Sequence, residues 1–178
     1  IFDDAGEPYP DSNWDWAKLR ETAIKFTKDA AGKGPQDDGF DVANVVQWGA
    51  EMALDEESGW SAMVFQNEGE YWNDHYTTPN FSDPTVVEGV QFLADLINVD
   101  KCAPSPAAQQ KFGGSAFQAG QAAISRQGTY LMLPYLTNIT SFDWDVTNPP
   151  KGKVKGVMAD GIGWAMAQAS KDQETAFT

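Results

Sequence analysis

The chain of 178 residues has one cysteine, one histidine and 12 basic residues against 26 acidic ones. Cys102 alone has no partner for an internal disulfide and cannot meet the usual zinc spacings, so no metal site is expected. With His75 the sole imidazole, a Ser-His-Asp or Cys-His mechanism has a single possible base, and no hydroxyl-glycine signal lies near it in the sequence. No catalytic residue is nominated, and nothing in the sequence asks for a cofactor. The net charge of −14 repels phosphate backbones, which excludes nucleic acid as the expected partner and disfavours anionic substrates and membrane surfaces. A neutral ligand fits, and the charge itself serves solubility. No apolar run approaches the roughly 20 residues that cross a bilayer. The first residues have neither a basic start nor an apolar secretory core, so any signal or anchor is expected outside this chain.

What the chain does have is 42% apolar content, enough for one sizeable core or two small ones, and 22 aromatic residues, seven of them tryptophan. Trp48, Trp60, Trp72, Tyr71, Tyr76, Tyr130 and Trp164 sit beside Gly, Asn, Glu or Asp rather than inside apolar runs. Sugar rings stack their C–H faces on such side chains while their hydroxyls take carboxylate and amide partners. Core packing is the competing role for each ring.

The opening IFDDAGEPYPDS is turn-rich and predicts no regular element. A helix follows, capped by Ser12 or Asn13, with Trp16, Leu19, Ala23 and Phe26 on one face through about Lys28. Residues 29–39, glycines mixed with carboxylates, lack the ligand pattern of a calcium loop and read as a surface loop. Phe40 to Val46 fits either a strand or a helix start, and Val45 to Leu54 reads helically. Trp60 to Phe65 suits one or two buried helical turns before a left-handed stop at Asn67-Glu68-Gly69, from which Tyr71 and Trp72 leave as at a cleft rim. Asp83-Pro84 starts a packed helix whose apolar face comprises Val87, Val90, Phe92, Leu93, Leu96 and Ile97 and which ends near Asn98. Ala107 to Ala119 is read as helix, Tyr130 to Leu136 as a short helix containing Pro134, Phe142 to Val146 as a strand, 148–155 as a loop, and Val157 to Ala167 as an apolar strand pair or an irregular strand. Ser170 and Gln173 form a capping box. The helix it opens ends after one turn, too short to stand alone, so the native polypeptide is expected to continue past Thr178 and to begin before Ile1.

Ser115 to Tyr130, SAFQAGQAAISRQGTY, reads as helix end, left-handed turn at Gly120, short strand over 121–125, and a glycine-assisted bend at Gly128 that projects Tyr130 from the sheet edge. With Phe117, Gly120, Ala123, Ile124, Gly128 and Tyr130 in place, it resembles the F-x-x-G-x-x-A-M-x-x-x-G-x-W signature of family 1 extracellular solute-binding proteins, the maltose-binding-protein-like receptors of ABC importers. IFDDAGEPYPDSNWDWAKLRETAIKFTKD is similar to that family's F-D-E-A-G-L-P-x-P-x-T-W-x-E-L segment. FSDPTVVEGVQFLADLI resembles its S-x-E-A-x-x-A-L-x-F-x-x-D-L, and GIGWAMAQASKDQETAF its G-x-x-x-A-I-x-x-x-S-K-x-x-E-A-A, all in the family's order.

The resemblance implies an α/β fold: most of the C-terminal lobe of a type II periplasmic-binding-protein fold, helix-rich around a small sheet. Residues 1–178 would be a single lobe and 157–178 the segment returning toward the hinge. It implies a monomeric sugar- or oligosaccharide-binding component of an ABC transporter, without catalysis, working with membrane permease subunits. Its place would be the outer face of a bacterial membrane, lipid-anchored, or the periplasm. By position, Tyr130 matches the family's stacking Trp, and Gly128 would admit the ligand to the backbone. Trp60 or Glu57 falls where an aromatic or a carboxylate meets ligand. Asn67 and Glu68 replace the family's N-G-G, Trp72 lies at the rim, and Trp164 either lines the cleft or packs in the core. Two other functions compete: a glycosidase fragment, for which Glu68 and Glu70 would be a nominal carboxylate pair, and a stand-alone carbohydrate-binding module with a complete site of its own.

Overall fold

The computed structural model describes residues 1–178 apart from 74, 160, 162, 164, 173 and 176–178. The opening segment, read as irregular, holds a four-residue helix α1 (Phe2–Ala5) that Gly6 ends at φ 61°. Helix α2 (Trp16–Phe26) buries Leu19, Thr22, Ala23 and Phe26. Its cap is Asp15, whose carboxylate accepts from the Lys18 N–H at 2.8 Å, and not Ser12 or Asn13.

Two-residue β1 (Lys28–Asp29) pairs antiparallel with β2 (Val45–Met52), and β2 pairs in parallel with β3 (Ala122–Arg126), giving the order β1-β2-β3. The helical reading of Val45 to Leu54 is thus corrected to a strand. VVQWGAEM carries β-branched residues at its start and becomes buried from Trp48 onward, so pairing on both sides outweighs any local helical preference. Parallel pairing requires a crossover, supplied by the helices between β2 and β3. Gly49 is where α2 reaches the sheet: a Cβ there would stand 1.7 Å from the Ala23 carbonyl oxygen.

A five-residue π turn, Glu56–Trp60, leads into α3 (Ser61–Gln66). The stop after α3 falls on Glu68, which takes the left-handed conformation at φ 61°, rather than on the neighbouring Asn or Gly. Helix α4 (Pro84–Asn98) begins and ends where Asp83-Pro84 and Asn98 predict, with the Asp83 carboxylate accepting from the Thr85 N–H. Its buried face is Val86, Gly89, Leu93 and Leu96, while Val87 and Val90 point outward. Gly89 lets α4 lie against α3, since a Cβ there would be 2.9 Å from the Met63 backbone.

The core joins Leu19, Ala23, Ala50, Met52, Met63, Leu93, Leu96 and Cys102 from α2, β2, α3, α4 and the segment after α4. Each fully buried Leu or Met there contributes about 1.5–3 kcal/mol. Helix α5 (Pro106–Gln110) stops well short of the expected Ala119, because Gly113 and Gly114 take φ 68° and 103° and break the helix. After β3 come a 3-10 turn, Thr129–Leu131, and α6 (Met132–Asn138). Phe142 to Val146 forms no strand; instead Phe142 meets Phe117 edge-on and Trp144 meets Tyr135 edge-on. The described residues of 157–167 carry no strand either, and Gln173 of the expected capping box lies outside the described residues. Loop 148–155 is tied down: Lys151 exchanges backbone hydrogen bonds with Trp14 and Trp16, and Val154 N–H donates to the Gln66 carbonyl.

Candidate ligand-binding site

Because β2 and β3 are parallel, their carboxyl ends lie side by side, with Met52 opposite Arg126. In open α/β sheets this edge is where ligands bind, since the loops that follow the strands converge there. Here the converging segments are 53–60 after β2 and 127–131 after β3.

Gly128 has an ordinary extended backbone, φ −71° and ψ 149°. What favours a glycine is space for the side chains as they stand: a Cβ would sit 2.2 Å from a ring carbon of Tyr130 and 2.6 Å from the Ser58 hydroxyl. The Tyr130 ring therefore folds back beside Gly128, while 56% of the residue stays exposed. Ser58 Oγ stands 3.5 Å from the Tyr130 hydroxyl, which links the two loops. The Arg126 guanidinium donates through Nη1 to the Ser58 carbonyl, and its Nε has no acceptor among the described residues. Burial pushes this guanidinium down to about 10, with the Asp55 charge pulling the other way, so it stays protonated at neutral pH.

Behind them Glu51, 1% exposed, accepts from Ser115 Oγ (3.2 Å), the Phe117 N–H (2.7 Å) and Gln127 Nε2 (3.1 Å). Tyr135, also buried, stands within reach of Ser125 Oγ at 3.4 Å, and burial raises its hydroxyl above the usual phenol value.

Trp60 is half-buried at the head of α3. Its ring meets Tyr71 at 4.9 Å in an edge-on arrangement and Phe81 at 6.0 Å. Tyr71 is turned inward rather than standing at a rim, and its hydroxyl donates to Glu56 at 3.0 Å. Glu57 is exposed on the turn beside Ser58. Trp72, 37% exposed, pairs its backbone with Pro79.

Asn67 is 4% exposed, and its amide donates to the Thr85 carbonyl (2.7 Å) and to Glu88 (3.0 Å) at the far end of α3 from Ser58. Glu68 is exposed at that same end. Trp164 lies outside the described residues.

The structure thus brings Gly128, Tyr130 and the turn bearing Glu57 and Trp60 to one edge, and places Asn67 and Glu68 elsewhere. Ser58, Arg126 and Glu51 were not anticipated. The one signal for Arg126 and Glu51 was charge inside otherwise small and apolar strand sequences, AAISR and WGAEM, where a charged residue needs a specific partner; Ser58 had none.

Two concavities, about 220 Å³ beside Val42, Trp48 and Phe112 and about 400 Å³ beside Ile1, Phe26 and Gln47, contain none of the predicted site residues. The candidate site is an open face. Among the described residues no group of three or more His, Cys, Asp or Glu could hold a metal ion, and no helix is long and apolar enough to cross a membrane.

No protein-family model matches the chain, and no curated protein matches it significantly in sequence. Solved structures do match. The ABC substrate-binding protein Lmo0181 from Listeria monocytogenes, in complex with cycloalternan, is similar with a TM-score of 0.72 and 25% identity, over 99% of this chain and 41% of that one. UspC from M. tuberculosis is similar with a TM-score of 0.73 and 27% identity, over 99% and 46%. The maltose/maltodextrin-binding domain MalE from Bdellovibrio bacteriovorus, bound to maltotriose, shares the fold with a TM-score of 0.60 and 21% identity, over 85% and 36%. The chain therefore spans less than half the length of the structures it matches, a share that corresponds to one lobe. Lmo0181 and MalE are binding proteins. The family resemblance carried by the motifs holds in three dimensions, and the chain has the helix-rich α/β fold of the ABC solute-binding proteins.

Proposed function

We propose that the complete protein captures a neutral sugar or oligosaccharide outside the membrane and delivers it to ABC permease subunits. In this reading the present chain is most of the C-terminal lobe, with residues 157–178 leading toward the hinge. One observation carries it: Tyr130, 56% exposed, stands in the loop after β3 at the carboxyl edge of the parallel pair, where its hydroxyl meets Ser58 of the loop after β2. The bound cycloalternan and maltotriose of Lmo0181 and MalE support the sugar class. Tyr130 and Trp60 would supply stacking surface, Glu57 and Ser58 polar contacts, and Gly128 the close approach. Glu68 and Trp72 would lie toward the periphery, while Asn67 has its amide engaged within the lobe. Lipid anchoring or a periplasmic location belongs to the same proposal.

The test is calorimetric titration of the full-length protein with a panel of neutral α-glucans. Saturable heat is expected for at least one. Replacing an aromatic anchor by alanine typically costs about 2 kcal/mol, so Tyr130→Ala should weaken that affinity by roughly 30-fold. No heat with any sugar would end the sugar assignment. Affinity unchanged by Tyr130→Ala would remove Tyr130 from the site.

A further inference from the structure

The two charged residues at the carboxyl edge each reach across to the other strand's loop. Glu51 belongs to β2, yet its Oε1 takes a hydrogen bond from Gln127, the first residue after β3. Arg126 belongs to β3, yet it donates to the carbonyl of Ser58, in the turn after β2. They occupy neighbouring rungs of one ladder, where Glu51 faces Ser125 and Met52 faces Arg126.

Neither residue is explained as an ion pair. Among the described residues no salt bridge to Glu51 or Arg126 is present, and their hydrogen-bond partners are uncharged. Asp55 acts on the Arg126 guanidinium without forming a salt bridge to it, and burying a charge without a directly paired opposite is costly, so a position that retains one is a candidate for a specific task. The other Glu51 oxygen accepts from Ser115 and Phe117 in the turn that enters β3, so this single carboxylate holds the strand's entrance and exit together.

We infer that Glu51 and Arg126 form a reciprocal clamp that sets the two site loops relative to each other, and that both are positioning residues for the Ser58–Tyr130 face. Gln127 precedes Gly128, where an added Cβ would stand 2.2 Å from the Tyr130 ring and 2.6 Å from the Ser58 hydroxyl, so the two loops meet closely at this point. A preorganised face binds more tightly because less ordering remains to be done on association.

The inference rests on the proposed binding face, and its test is independent of the ligand. Amide hydrogen exchange is followed by mass spectrometry on the full-length protein without sugar. Glu51→Gln should accelerate exchange of residues 127–131 by about tenfold, as expected for loss of one charge-assisted hydrogen bond. The peptide covering 84–98 serves as the unchanged reference. Arg126→Met should do the same for 56–60, whose Ser58 and Trp60 amides bond to Asp55. Arg126→Lys, which can still donate to the Ser58 carbonyl, should restore most of the protection. Each variant should loosen the other loop as well. Wild-type exchange in both loops would overturn the clamp, and so would equal acceleration of 84–98 with no rescue by lysine, which would make these residues ordinary core supports. A null sugar titration would refute the proposed ligand and leave the exchange result standing.

Discussion

At its amino-terminal end the β2/β3 ladder seats Trp48 among Ala116, Ala122, Phe112 and Phe117, whereas three and four positions on it holds Glu51, Met52 and Arg126. The first end is apolar; the second contains a carboxylate and a guanidinium, with a serine and an exposed tyrosine in the loops beyond. One continuous set of backbone hydrogen bonds serves both. The difference shows how a small sheet divides its labour: side chains at one end make stability, and those at the other hold loops in place. Substitutions should therefore separate the two, with stability lost at one end and binding at the other.

The largest effect should come from Gly49, midway along the ladder, because no side chain fits against the Ala23 carbonyl. Gly49→Ala is expected to destabilise the lobe by more than about 4 kcal/mol and to disable both ends together. Urea denaturation checks this, and a mild effect would mean that α2 can shift without harm. Trp48→Ala comes next. Truncating a buried aromatic costs about 3–5 kcal/mol, yet sugar affinity per folded molecule should stay within about twofold of wild type. Trp48→Phe should cost less, since the Trp48 indole Nε1–H has no hydrogen-bond partner among the described residues and its removal relieves an unmet donor. Tyr130→Ala is the mirror case, with stability changed by less than about 0.5 kcal/mol while binding falls as stated above. If Trp48→Ala and Tyr130→Ala altered stability and affinity in the same proportion, the division between the ends would be wrong.

How far such positions are legible from sequence follows from where their causes lie. Helix α4 was readable because its cap, first-turn proline and apolar repeat all fall within the segment itself. The exposed place of Tyr130 just after β3 was readable because the left-handed turn at Gly120 and the alternating strand lie within a dozen residues, whereas Gly128 makes no left-handed bend. Strand β2 was misread because VVQWGAEM fits either period, and the choice is made by Ala122–Arg126, some 70 residues away. The long helix expected over 107–119 failed at Gly113 and Gly114, whose left-handed backbones outweigh the helical preference of the alanines and glutamines around them. In the same way the partners of Ser58, Glu51 and Arg126 were not legible, because each acts on a residue more than 60 positions distant. Side chains with local partners declare themselves; those with remote partners do so only in the fold.

The smallest effect concerns a second partly hidden carboxylate, at the β1 edge, that sharpens the contrast with Glu51. Asp29 is 3% exposed and, like Glu51, accepts three hydrogen bonds, but all come from backbone: the N–H groups of Ala31 (2.8 Å), Lys33 (2.9 Å) and Asp41 (3.0 Å). It organises one loop of its own rather than joining two strands. These bonds, led by that from Asp41, hold its carboxyl below the ordinary carboxylate value of 3.8. Because the folded form binds its proton less readily than the unfolded form, Asp29 contributes stability that is fully present above the ordinary carboxylate range and is lost as pH falls through the lowered value. Acidifying from pH 6 toward the ordinary carboxylate value should therefore leave the Ala31, Lys33 and Asp41 amides protected, with protection falling only below it. Asp29→Asn should remove that pH dependence and open residues 30–41 without changing exchange at 127–131. Acid-induced exchange that set in above the ordinary carboxylate range would contradict the depressed titration, and coupled loosening of 127–131 would show that the two carboxylates share one network.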